Sequence, residues 1–290
     1  MPFYLSALTL GLAMCGLGWG IYLSMKVFNI PDITTDGSYT LGAAISAVHL
    51  SQGGTWWLAI VMSMVGGAIA GFFTGLIHTR LKVNALLSGI LVMTALYSIN
   101  LILMGRSNIP LLETSSLFTS IDFPADSYLR KLLLLAVLLI LPAVLITGLL
   151  KTDFGIAMRA TGNSETMVRS MGVNTNRMKM TGLALANALT AFSGSLVTQF
   201  QQFADINMGI GIVIFGLGAV MIGETLMDLF RRRGIAWRIA GVVAGCIIFR
   251  LIIAFTLVLG VDPNLLKLIT ALVVLVFVSL PVLRGKTVTV

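Results

Sequence analysis

Charge is the first thing this chain is short of. Asp, Glu, Lys and Arg make up 10% of its 290 residues, against about 25% in an ordinary soluble domain. So little charge cannot cover a surface facing water. With 57% hydrophobic residues and a mean hydropathy of +0.99, the bilayer must be the solvent. Cysteine and histidine are scarcer still, two of each. Cys15 and Cys246 both lie inside apolar runs, which suits packing residues better than a disulfide or a metal pair. His49 and His78 fall at the ends of apolar runs on opposite faces of the membrane, so they cannot hold one ion between them.

Other absences narrow the chemistry. No G-x-x-x-x-G-K-[ST] phosphate loop is present: Gly285-Lys286-Thr287 resembles its tail, but Leu280 stands where the first glycine is required. The chain is therefore not expected to hydrolyse ATP itself. It also lacks a Cys/His metal cluster, a serine-nucleophile elbow and paired carboxylates inside the apolar runs, so a membrane enzyme is not expected. No basic region precedes the first apolar run, and that run is read as a retained span rather than a cleaved signal. The net charge of +8 could suggest nucleic acid, but the basic residues sit in short segments between apolar runs. That is the placement of loops held on the cytoplasmic side, and no nucleic-acid partner is expected.

What is present in abundance is runs of about 20 apolar residues, the length that crosses a hydrocarbon core. They occupy 4–25, 56–79, 83–104, 130–150, 180–200, 209–227, 235–260 and 264–283, with a weaker Gly-, Ala- and Ser-rich run at 37–51. The fold class is accordingly all-α: a polytopic transmembrane bundle of about nine spans, read as one domain over 1–290. Basic residues then orient it. Arg80 and Lys82, the group from Lys151 to Lys179, Arg231 to Arg238, and Arg284 with Lys286 all fall on one face, which is expected to be cytoplasmic, leaving the N-terminus outside. Glycines at helical spacing, such as Gly66, Gly67, Gly71 and Gly75 or Gly216, Gly218 and Gly223, mark tight helix packing.

Function in a membrane protein tends to sit where polar groups or broken helices occur at membrane depth. The clearest break is Asn29-Ile-Pro-Asp-Ile-Thr-Thr-Asp-Gly-Ser38. Asp36 and Ser38 suit the capping end of the small-residue helix that follows. The segment fits an ordinary polar loop; it fits equally a discontinuous segment lining a pathway. Asp32, Thr35, Asp36, Asn84 and Ser88 are the candidate pathway residues, being polar beside apolar spans. Arg250 is a charge buried within the eighth span, where structural pairing inside the bundle is expected ahead of direct contact with a solute. Glu224 suits a half-solvated position or a helix-end pair.

The segment 151–179 is the second unusual feature. It reads as two short amphipathic helices separated at Thr161-Gly162-Asn163, with Ser164 and Glu165 starting the second. Met167, Val168 and Met171 keep one face apolar. An exposed apolar face on such a hairpin suits docking to a protein partner, although a connector lying on the membrane surface would share the pattern.

Two stretches carry a resemblance. Asn29-Ile-Pro-Asp-Ile-Thr-Thr-Asp-Gly-Ser-Tyr-Thr-Leu-Gly-Ala-Ala44 and Gly155-Ile-Ala-Met-Arg-Ala-Thr-Gly-Asn-Ser-Glu-Thr-Met-Val-Arg-Ser-Met-Gly-Val-Asn174 resemble the permease subunits of bacterial ABC importers of the branched-chain amino acid and ribose class, over nearly the whole chain. The Asp-Ile-Thr-Thr-Asp-Gly-Ser wording is similar to the tryptophan and aromatic amino-acid uptake branch. The resemblance implies an importer of a small polar solute, an amino acid first among candidates, in the bacterial inner membrane. It implies a second permease copy or paralogue, a solute-binding protein, and separate ATPase subunits that bind the ATP, so the chain itself needs no cofactor. Arg159, Ala160, Gly162, Asn163, Glu165 and Gly172 would then form the coupling surface seated on the ATPase. A secondary transporter driven by an ion gradient is the alternative.

Overall fold

The computed structural model describes residues 2–112, 114–120, 127–231, 234–262 and 265–283. Among the described residues each apolar run expected from the sequence is helical over most of its length. The first is α1 (Pro2–Ala13) and α2 (Cys15–Ile21), continued by one wide turn over Tyr22–Val27. Then come α3 (Thr34–Ser51), α4 (Trp56–Arg80) and α5 (Ala85–Met104). A short α6 (Leu117–Ser120) precedes α7 (Ser127–Lys151), and the hairpin is α8 (Asp153–Asn163) with α9 (Glu165–Ser170). The chain closes with α10 (Thr175–Gln201), α11 (Ile212–Leu229), α12 (Ile235–Val258) and α13 (Leu266–Leu283).

Seven helical stretches among the described residues are long and apolar enough to cross a membrane: Phe3–Val27, Trp56–Arg80, Ala85–Met104, Tyr128–Lys151, Thr175–Gln201, Ile212–Leu229 and Ile235–Val258. The expected count of about nine is not reached by this measure. α3 is too polar to qualify, and Leu266–Phe277 is too short an apolar stretch. The all-α expectation also needs one amendment. β1 (Asn108–Pro110) and β2 (Phe203–Asp205) form a small antiparallel ribbon, with Asn108 opposite Asp205 and Pro110 opposite Phe203. It ties the loop after α5 to the loop after α10. Ile109, Leu111, Ala204 and Ile206 are buried beneath it, and this pairing over long sequence separation leaves no periodic signal.

The core is built round α10, which is buried along most of its length and packs most extensively on α4 and α3. Small residues allow that approach, as their spacing suggested. A Cβ at Gly67 would lie 2.4 Å from the Asn187 carbonyl oxygen, one at Gly71 2.2 Å from that of Leu183, and one at Gly42 2.1 Å from that of Ala191. Without a hydrophobic drive between helices in lipid, such close backbone packing and interhelical hydrogen bonds do the associating. By contrast α4, α5 and α7 turn large apolar side chains outward, among them Val65, Phe73, Leu91, Ile102, Val137 and Leu145. That is the surface a bilayer covers.

Candidate functional site

The break after the first span enters the protein interior. Asn29 takes a left-handed φ of 55° and the backbone stays non-helical to Ile33, with Pro31 unable to continue the helix. Asp32 is buried, and both its carboxylate oxygens are engaged: Oδ1 accepts from the Thr34 amide at 2.9 Å and Oδ2 from Asn187 Nδ2 at 2.7 Å. Asn187 lies within α10, so α3 starts at the depth of that helix's middle and then runs parallel to it.

Irregular backbone at such depth must find its hydrogen bonds inside the protein, and α3 is sheathed accordingly. Thr34 Oγ1 pairs with Thr74 Oγ1 on α4 at 2.8 Å. Asn100 on α5 donates to the Gly37 carbonyl at 3.3 Å, and Ser63 on α4 to that of Gly42 at 2.8 Å. Ser195 on α10 reaches Ser46 at 3.1 Å. Asp36 does not cap its own helix as the sequence suggested. Its Oδ2 accepts from the Gly211 amide at 2.8 Å and its Oδ1 from Val213 at 3.0 Å. It thus caps α11, whose preceding Gly211 has φ 80°. α11 therefore starts beside α3.

The structure places the five candidate pathway residues in two groups. Asp32, Thr35 and Asp36 lie buried in this network, with Thr35 Oγ1 donating to the Asp32 carbonyl at 3.1 Å. Asn84 is exposed and caps α5 by accepting from the Leu86 amide at 2.9 Å; Ser88 is buried and donates to the Asn84 carbonyl at 2.9 Å. The sequence showed them as polar, but not what holds them.

The hairpin lies at the opposite end from the ribbon, against the end of the first span. Thr152 caps α8 by accepting from Gly155 at 3.3 Å. α8 runs through Thr161-Gly162-Asn163 without the expected interruption, and the break falls at Ser164, which is extended at φ −153°. Gly162 serves contact instead: a Cβ there would meet the Val27 carbonyl oxygen at 1.9 Å. Ala160 and Glu165 are partly buried, while Arg159, Asn163 and Gly172 are exposed, Gly172 closing the hairpin at φ 84°. Val168 is buried inward, contrary to the expected apolar face, whereas Met167 and Met171 are 62% and 71% exposed.

Glu165 pins the hairpin to α10. Lys179 Nζ donates to Oε2 at 2.5 Å, Thr175 Oγ1 to Oε1 at 3.1 Å, and Arg169 stands 3.5 Å from Oε1. The Lys179 ammonium holds this carboxyl below the usual carboxylate range against the opposing effect of partial burial, helped by Thr175 and Arg169. Lys179 and Thr175 were not singled out from the sequence; within a run of basic residues nothing marks which one has a buried partner. A cavity of about 250 Å³ separates this clamp from Phe28, Asn29, Ile30 and Pro31. Nearby, Lys26 and Glu224 form the helix-end pair expected of Glu224, at 3.1 Å.

Arg250 differs from expectation. It forms no ion pair or hydrogen bond among the described residues. The elements around it, α1, α3 and α10, bring no carboxylate within salt-bridge distance. It lines a cavity of about 400 Å³ instead.

Fold and hairpin together define a multi-pass membrane protein with interrupted helices inside and a helical hairpin anchored at one end. The chain belongs to the family described as "Branched-chain amino acid transport system / permease component", whose model matches residues 1–279. It is 37% identical to a tyrosine transport system permease protein of Clostridioides difficile (strain R20291), over 95% of this chain and 90% of that one. An uncharacterised protein of Rickettsia prowazekii (strain Madrid E) is 32% identical over 96% and 98%. Among solved structures, a metal-chelate-type ABC transporter in an inward-facing conformation shares the fold, with a TM-score of 0.52 at 11% identity over 98% of this chain and 85% of that one. This chain is accordingly a permease subunit of the ABC importer class, a transport protein of the bacterial inner membrane.

Proposed function

We propose that this permease imports an amino acid, with an aromatic one such as tyrosine as the first candidate, driven by separate ATPase subunits. The observation that carries the reading is the hairpin: a rigidly anchored element presenting Met167, Met171, Arg159 and Asn163 to solvent. Arg159, Ala160, Gly162, Asn163, Glu165 and Gly172 form the coupling surface. Two of these seat the hairpin on the rest of the chain, Gly162 by contact and Glu165 by its ion pairs. Force applied to it is delivered to Val27 and α10, and so to the break at 28–33. Asp32, Thr35 and Asp36 set the geometry of that break, and Asn84 and Ser88 fix the neighbouring start of α5 beside the pathway. A second permease copy or paralogue completes the pathway, a solute-binding protein delivers the amino acid, and α3 and α13 bring the spans to nine with the N-terminus outside. The substrate follows the name of the Clostridioides difficile relative.

The test is uptake of radiolabelled L-tyrosine into membrane vesicles that contain the permease with its accompanying subunits and binding protein. ATP-dependent uptake is expected. Changing Arg159 and Glu165 together to Ala should lower it at least about tenfold, the effect of losing about 1.4 kcal/mol of coupling contact, and should release the ATPase subunit on purification. Uptake that runs on an ion gradient with the ATPase removed would sink the proposal.

A further inference from the structure

The cavity beside Arg250 lies between α1, α3, α10 and α12, at the end of the bundle that carries the ribbon. Arg250 stands about two turns before the end of α12. A guanidinium at that depth is costly unless something satisfies it, and among the described residues it has neither an ion pair nor a hydrogen bond. Its five donors form a planar fork suited to a carboxylate.

Asp205, from β2, lines the same cavity. Its carboxylate accepts from the Asn207 amide at 2.8 Å and, at a long 3.5 Å, from Asn108 Nδ2. A carboxylate has about four acceptor positions, so room remains for a cation. Gln201 and Asn207 add amide groups to the wall, Tyr39 a phenol, and the remainder is mostly apolar. At about 400 Å³ the volume falls within the range of small-molecule sites, roughly 300–1,000 Å³. One unpaired cation, one anion with spare capacity and an apolar remainder together match a zwitterion that carries a side chain.

We propose that this cavity is a resting site for the transported amino acid, with Arg250 receiving its α-carboxylate and Asp205 its α-ammonium group. The inference rests on the importer reading and adds to it the place and polarity of binding within a single permease chain. Sugars lack both charges and are poor ligands for such a site.

The experiment uses the permease with its accompanying subunits in lipid nanodiscs, without the binding protein. The ligand is the labelled L-tyrosine of the uptake assay. Saturable binding is expected, competed by the unlabelled amino acid but not by tyramine, which lacks the carboxylate, nor by the deaminated acid. Arg250→Gln and Asp205→Asn should each weaken binding by about 10- to 100-fold, with Arg250→Lys recovering part of the loss. Asp205→Asn serves if Arg250→Gln fails to assemble. ATP-dependent import by the unaltered assembly is the control for the importer reading. Import without saturable binding, or binding indifferent to both substitutions, overturns the site and leaves that reading standing. Absence of amino-acid import overturns both.

Discussion

At position 36 a single carboxylate joins two helices that are far apart in sequence. It sits in the first turn of α3 and accepts from two amides at the start of α11. Asp36→Ala removes the acceptor that both amides share at the start of α11, the loss of a cap worth about 0.5–2 kcal/mol. We expect thermal unfolding in detergent at a clearly lower temperature for Asp36→Ala, with Asp36→Asn between it and the unaltered protein. A variant as stable as the original would show that the cap contributes nothing. Glu165 makes a prediction in pH. Its folded pKa is lowered, so its contribution to holding the hairpin is present above the ordinary carboxylate pKa of about 4.3 and is lost as pH falls through the lowered folded value. At neutral pH, hydrogen exchange at 163–175 should be faster in Glu165→Gln than in the unaltered protein. The two should converge only in acid, once intrinsic exchange rates are corrected for. Asp36 was singled out as a polar capping candidate and Glu165 as a helix start and through the resemblance; their partners, Gly211 and Val213 for one and Lys179 for the other, were not legible, because sequence separation hides which helices meet.

Among the elements, α3 and α10 show how small residues set the architecture. Gly42 has the Ala191 carbonyl oxygen within 2.1 Å of where a Cβ would be, whereas Gly148 on α7 has nothing within 4 Å. Gly42→Ala must push two helices apart, at about 1–3 kcal/mol. Gly148→Ala should be neutral or stabilising by up to about 1 kcal/mol through helix propensity. Comparing the two unfolding midpoints checks the interpretation of the stripes; equal shifts would refute it. The glycine spacing was legible because helical periodicity is a local property. Which neighbour each stripe faces was not, and the ribbon of β1 and β2 was missed because its three-residue strands pair across 97 positions, from Asn108 to Asp205.

For the whole molecule, orientation is the property that function needs. Asn163 and Asn207 are both exposed, on the hairpin and beside the ribbon, while Cys15 and Cys246 are buried. Single cysteines at 163 and 207 can therefore be probed with an impermeant maleimide in the native background. We expect labelling at 207 in intact spheroplasts and at 163 only after permeabilisation; the reverse pattern would invert the molecule in the membrane.

Composition alone determined that this chain lives in a bilayer, because 10% charge cannot solvate a surface. Apolar run length alone marked out the helices, since the hydrocarbon core has a fixed thickness. Only tertiary structure decided that α3 begins inside the bundle with the start of α11 beside it, that Asp32 and Asp36 are committed to holding them, and that Arg250 lines a cavity without an ion pair among the described residues. A buried polar group acquires its role from the partner that satisfies it, and that partner is chosen by packing between helices distant in sequence.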